Sequence, residues 1–120
     1  MPKIVAICNQ KGGVGKTSTA ISMASCLALE GRKTLLIDLD SQGNSTSGLG
    51  INKSEVRRSI YHALLENMPL AEICVPSCVE NLLVVPANQD LAGAEVELVG
   101  ELGREGRLRK ALTNLDPSFE

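Results

Sequence analysis

The segment Gln10-Lys11-Gly12-Gly13-Val14-Gly15-Lys16-Thr17 constrains this chain more than any other stretch. It follows a short apolar, β-branched run, Ile4-Val5-Ala6-Ile7, and precedes a helical pattern of apolar residues. Glycine lacks a Cβ, so Gly12, Gly13 and Gly15 let the backbone wrap closely with its N–H groups pointing inward. A helix start at Thr17 adds a partial positive charge at the same place. In such a loop Lys16 reaches the β- and γ-phosphates and the Thr17 hydroxyl ligates magnesium. Each feature alone is common. A strand, a Gly-rich loop and a helix in this order specify a cradle for a triphosphate.

The rest of the chain reads as alternating strands and helices. Residues 3 to 8 are expected to form a buried strand. Residues 17 to 29 read as a helix, because Ala20, Ile21, Ala24, Leu27 and Ala28 recur at three- and four-residue spacing and Gly31 follows as a stop. Residues 33 to 37 form a second buried strand that ends at Asp38. These three elements predict a βαβ unit with parallel strands. Residues 41 to 53, rich in Ser, Gly, Asn and Thr, predict a loop. Ser54-Glu55 opens a helix with Val56, Ile60, Ala63 and Leu64 on its apolar face. Tyr61 and His62 belong to its surface or packing. Residues 81 to 85 form a third strand closed by Pro86. A helix from Asp90 to about Leu102 carries Leu91, Ala94, Leu98 and Leu102, with a break near Gly103. A second short helix, carrying Arg104, Arg107, Arg109 and Lys110 on a solvated face, ends near Asn114.

Strand two runs out in Ile37-Asp38-Leu39-Asp40-Ser41-Gln42-Gly43-Asn44. In a parallel sheet, ligands gather beyond the carboxyl ends of the strands. Two carboxylates there can face a metal ion and a γ-phosphate, orienting water or holding the metal through water. The predicted fold class is therefore α/β and P-loop NTPase-like, with a mostly parallel sheet flanked by helices. Residues 1–120 read as part of a single domain.

Composition narrows the partners. The net charge of −2, with no run of five basic residues, gives no general attraction to nucleic acid or anionic lipid. The first residues are too short an apolar stretch for a signal peptide, and no run approaches a bilayer span. No membrane partner is expected, and the chain reads as cytoplasmic. Aromatic residues are 2% of the chain, so the core must be aliphatic. The four cysteines lack the pairing or the histidines of a zinc site and read as reduced, structural thiols.

The loop departs from the usual P-loop pattern at Gln10, where glycine is normal, and opens instead as Lys11-Gly12-Gly13-Val14-Gly15-Lys16-Thr17. This resembles the deviant Walker A motif of the ParA/MinD family. The resemblance implies ATP with Mg2+ as ligands and nucleotide contacts from Lys11, Gly12, Gly13, Val14, Gly15, Lys16, Thr17 and Ser18. It implies that Lys11 reaches across a homodimer interface to the partner's nucleotide. The run from Asp38 to Asn44 resembles the family's A-prime motif, with Ser41 in place of its usual proline. On that resemblance Asp40 serves hydrolysis, and Asp38, with Thr17 and Asp40, serves the metal. Asn44-Ser45-Thr46-Ser47-Gly48-Leu49-Gly50 and residues 86 to 98 resemble the chromosome- and plasmid-partition branch. The family usually continues for about as long again, through a Walker B strand, so the chain reads as its N-terminal half. The complete protein is then expected to hydrolyse ATP, to bind DNA non-specifically, to answer to a ParB-like centromere-binding protein and to associate with the nucleoid. Two alternatives stay open: a non-catalytic nucleotide-binding or interaction fragment, and a ParA-like ATPase that positions another cargo.

Overall fold

The computed structural model describes residues 3–7, 14–39, 43–52, 55–66, 68–87, 110–112 and 118–119, with the backbone alone at 14–17 and 65. Its elements, in chain order, are helix α1 (Val14–Leu29), strand β1 (Thr34–Ile37), helix α2 (Asn44–Gly48), helix α3 (Ile60–Glu66), a 3-10 turn (Leu70–Glu72), strand β2 (Val75–Pro76) and strand β3 (Leu82–Val85). The sheet order is β1-β3-β2. β1 and β3 run parallel in the register Thr34↔Leu82 to Ile37↔Val85. β2 joins β3 antiparallel through Val75↔Val84 and Pro76↔Leu83, so the sheet is mixed. Pro76 lacks a donor, and its place on an edge strand is where that lack is tolerated.

Side-chain alternation along the strands sorts the core into two layers. Leu36, Leu82 and Val84 face α1, where they meet Ala24, Ala28 and Leu49. Leu35, Ile37 and Val85 face the opposite side, with Ile60, Ala63, Leu64, Leu70 and Ile73. Period-two alternation in β1 thus feeds both faces, and the sheet is flanked by α1 on one side and α3 on the other. Alanines at 24 and 28 keep α1 close to the strands.

α1 ends as its sequence predicts. Gly31 has φ 90°, the left-handed region that glycine enters without steric cost. Its N–H donates to the Ala28 carbonyl at 3.0 Å, and that of Arg32 donates to Leu27 at 3.1 Å, the bond pair of a Schellman cap. A short turn then reverses the chain into β1.

Several expectations need correction. The helix begins at Val14, three residues before the predicted Thr17, so Val14 to Lys16 belong to its first turn. Residues 3–7 are in no strand, and Ile4 and Val5 are 68% and 65% exposed. β-Branched composition suits a strand, but a strand exists only where a ladder partner and burial reward it. Among the described residues β1 takes its parallel partner from β3 instead. The predicted loop 41 to 53 contains α2. The helix expected from Ser54 begins at Ile60. The Ser59 hydroxyl accepts the Tyr61 N–H at 3.2 Å, and His62 Nδ1 accepts the Ser59 N–H at 3.0 Å. This is a reciprocal cap with histidine in the role usual for Glu or Gln, so Ser59 outcompetes Ser54 as the start signal. Most of the helices predicted after Asp90 lies outside the described residues, of which 110–112 are helical.

Candidate functional site

Two cross-links orient α1. Near its C-terminus the Ala28 carbonyl accepts from Asn81 Nδ2 at 3.3 Å, just before β3 begins. One to two turns nearer its start, Ile21 packs on Gly48, in the segment that follows β1: a Cβ added at Gly48 would stand 2.6 Å from Ile21 Cδ1. α1 therefore runs antiparallel to β1 and β3. Its first turn, Val14 to Thr17, lies toward the carboxyl ends of the parallel strands. The first four N–H groups of a helix have no partner within it, and the helix dipole concentrates positive charge there. Gly15, Lys16 and Thr17 occupy this turn. The donor set of that turn, backbone N–H groups with an ammonium and a hydroxyl by residue type, suits a polyphosphate with its magnesium.

Asp38 follows β1 directly, and its N–H continues the ladder to the Val85 carbonyl at 3.1 Å. The residue is 4% exposed. Carboxylate Oδ2 accepts two bonds from Thr46, one from the backbone N–H at 2.9 Å and one from the hydroxyl at 2.6 Å. The Thr46 hydroxyl in turn accepts the Ala87 N–H at 3.1 Å. Three segments meet here: the end of β1, the first turn of α2 and the residues after β3. α2 starts from Gly43, whose φ of 64° and ψ of 34° are left-handed and which has no side chain with which to cap. Asp38 supplies that cap from another element, since Thr46 N–H is one of the helix's orphan donors. Among the described residues no buried side-chain nitrogen or oxygen lacks a partner.

Of the predicted site residues, the structure brings the α1 first turn and Asp38 to the same end of the sheet. Lys11, Gly12, Gly13 and Asp40 lie outside the described residues, as do the side chains of Val14, Lys16 and Thr17. Ser18 is exposed. It lines a shallow hollow on the outer face of α1 with Thr19, Ser22, Met23 and Cys26, which offers no charge to a phosphate. Among the described residues no group of three His, Cys, Asp or Glu side chains could hold a metal ion. Cys26, Cys74 and Cys78 are free thiols. No helix among the described residues is long and apolar enough to cross a membrane. Sequence reasoning missed Thr46 and Ala87. Thr46 was hidden in a Ser- and Gly-rich run, and its only signal was an Asp eight residues earlier at the end of a strand.

Known proteins resemble this chain over its full length. A family model described as an AAA domain matches residues 2–120. The sporulation initiation inhibitor protein Soj of Bacillus subtilis is 48% identical over 120 residues, 100% of this chain and 47% of that protein. The chromosome partitioning protein ParA of Myxococcus xanthus is 52% identical over 118 residues, 98% of this chain and 42% of that protein. A crystal structure of cobyrinic acid a,c-diamide synthase from Mycobacterium smegmatis, with bound ATP analog and magnesium, superposes with a TM-score of 0.93 at 40% identity, covering 99% of this chain and 48% of that one. The chain thus spans less than half the length of each of these proteins.

Proposed function

Because this chain belongs to the AAA-domain family and is similar to partition proteins of ParA and Soj type, we propose that it forms the ATP- and magnesium-binding front of a partition ATPase. The observation that carries this reading is the first turn of α1, with Gly15, Lys16 and Thr17, directed to the strand ends where Asp38 is held. The structural likeness to a protein holding an ATP analog with magnesium supports the same ligands.

In this reading the backbone from Gly12 to Ser18 cradles the phosphates and Lys16 pairs with the terminal ones. The Thr17 hydroxyl, with Asp38 and Asp40, holds the metal, either directly or through water. Magnesium, when bound, neutralises charge that develops between the β- and γ-phosphates. Asp40 orients the attacking water, and Lys11 reaches the nucleotide of a second copy, so ATP bridges a homodimer. The dimer binds DNA non-specifically and a ParB-like centromere-binding partner stimulates turnover, in the cytoplasm and at the nucleoid. Cycles of DNA binding and release then segregate a chromosome or plasmid.

The test is ATP binding and turnover by the full-length protein. Lys16→Ala is expected to abolish binding, whereas Asp40→Ala keeps binding and loses turnover. Unchanged turnover in both variants would sink the assignment. A second reading follows from the likeness to the diamide synthase, in which the same nucleotide site drives amide formation. ATP-dependent amidation of cobyrinic acid by the purified protein would favour it. The 52% and 48% identities to partition proteins, against 40% to the synthase, favour the first.

A further inference from the structure

We propose that His62 is a pH-sensitive latch: while neutral it holds the start of α3 against the end of β3, and a second proton on its ring releases that hold. Ser59 is 0% exposed, so its N–H must find an acceptor inside the protein. That acceptor is His62 Nδ1 at 3.0 Å. A neutral imidazole accepts at one nitrogen and donates at the other, so this bond places the ring proton on Nε2. Nε2 lies 3.7 Å from Glu66 Oε2, one turn along the helix. A second proton has only Nδ1 to bind, and there it would set N–H against N–H. The cap must open before the ring takes that proton, which leaves the Ser59 N–H buried and unpaired. The histidine side chain is 20% exposed, so protons from solvent reach it.

The next residue joins the latch to the sheet. Ile60, also 0% exposed, donates its N–H to the Pro86 carbonyl at 2.9 Å, and Pro86 directly follows β3. Opening the cap at Ser59 therefore loosens the tie between α3 and the strand end, a local event that leaves the strands paired. Glu66 is the acidic group that faces the ring, and its side chain is 56% exposed, so its pull on a charged imidazole is weak. The positive end of α3 opposes charge at the same place. Arg57 and Arg58 precede the cap, and the segments around α3 carry Asp38, Glu72, Cys74 and Lys110. Among the described residues none of these six pairs with the imidazole or hydrogen-bonds to it. Tyr61 meets it edge-on, with 5.6 Å between ring centroids, and brings no charge. Because only the open cap takes the second proton, acid draws the α3 start open.

Hydrogen exchange of the full chain, read as protection factors so that the intrinsic pH dependence cancels, tests the latch. From about pH 7.5 to about pH 5.5, protection of the Ser59 and Ile60 amides is expected to fall about tenfold, while that of the β3 amides holds within about threefold. His62→Gln places the usual capping-box residue at the same position, keeps an acceptor and cannot titrate. Its Ser59 protection should stay within about threefold of the parent's high-pH value at both pH values. His62→Phe has no acceptor and should show the low protection at both. Protection in the parent that does not change with pH overturns the proposal, as does a fall in His62→Gln that matches the parent's. An equal fall in the β3 amides also overturns it, because the acid effect is then global. Should His62→Gln fail to fold or to restore the cap, nitrogen NMR of the parent's imidazole decides. A ring proton on Nε2 at about pH 7.5, with Ser59 protection lost along the ring's own titration, supports the latch. A proton on Nδ1 there, or protection lost at a different pH from the ring's titration, refutes it.

Discussion

Alanine at position 48 tests how α2 sits on α1. The added Cβ would stand 2.6 Å from Ile21 Cδ1 but 3.9 Å from Ile21 Cγ1. Carbon atoms pack best at about 3.5–4.0 Å, so the Cδ1 methyl alone conflicts, and it must retreat by about 1 Å. Ile21 is half-buried in α1, where a β-branched side chain has a stiff χ1. The retreat therefore falls on its χ2 or on α2 itself. Overpacking of this kind costs about 1–3 kcal/mol. Against it stands a helix-propensity gain of up to about 1 kcal/mol for Ala over Gly, reduced because Gly48 is the last residue of α2. A net loss of about 1 kcal/mol is expected for Gly48→Ala. Ile21→Val deletes the conflicting methyl and by itself costs about 0.5–1.5 kcal/mol. In the double variant the nearest contact is the ordinary one, so the overpacking disappears and the propensity gain remains. The coupling should reach about 1–2 kcal/mol, beyond the roughly 0.3–0.5 kcal/mol scatter of independent sites. Urea denaturation of the parent, both single variants and the double variant at 25 °C measures it. Costs that add within about 0.5 kcal/mol would show that Ile21 Cδ1 does not define the seat of α2.

Other outcomes follow from single environments. Leu82 is 1% exposed, on the α1 side of the central strand, and Leu82→Ala is expected to cost about 2–5 kcal/mol in chemical denaturation. Gly31 has φ 90° and no heavy atom within 4 Å of an added Cβ. Gly31→Ala should therefore cost about 1–2 kcal/mol through backbone strain alone, and Gly31→Asn less, read as a difference in Tm. Ser59→Ala removes the hydroxyl that accepts the Tyr61 N–H and should cost about 1 kcal/mol, with ATP affinity unchanged in calorimetry because α3 lies on the opposite face of the sheet from α1.

Much of the scaffold was legible because its signals are local. The apolar period of α1 and the glycine that ends it lie within one stretch, and each needs only its own neighbours to act. β1 and β3 are short aliphatic runs of the kind that suits a buried strand, and both appear within a residue of their predicted bounds. Other elements competed on equal local terms. Ser54 reads as the helix start, yet the helix begins after Ser59, because His62 completes a reciprocal cap there and the Ile60 N–H reaches the Pro86 carbonyl at 2.9 Å. α2 was hidden because Ser, Thr, Asn and Gly have weak helix propensity, and it persists through a carboxylate that caps it from the end of β1.

By itself the sequence determined the chemistry on offer: a glycine-rich turn opening a helix beside Lys16 and Thr17, and carboxylates at the end of the next aliphatic strand. Residue type and short spacing suffice for that, because glycine permissiveness, side-chain charge and helix polarity act over a few bonds. Only the tertiary structure decided which strand pairs with β1 and what Asp38 touches. Those outcomes rest on contacts between distant segments, such as the Ala87-to-Thr46 bond across 41 residues. Such a bond forms only when both faces of the sheet are packed, and its strength comes from the burial that the packing creates.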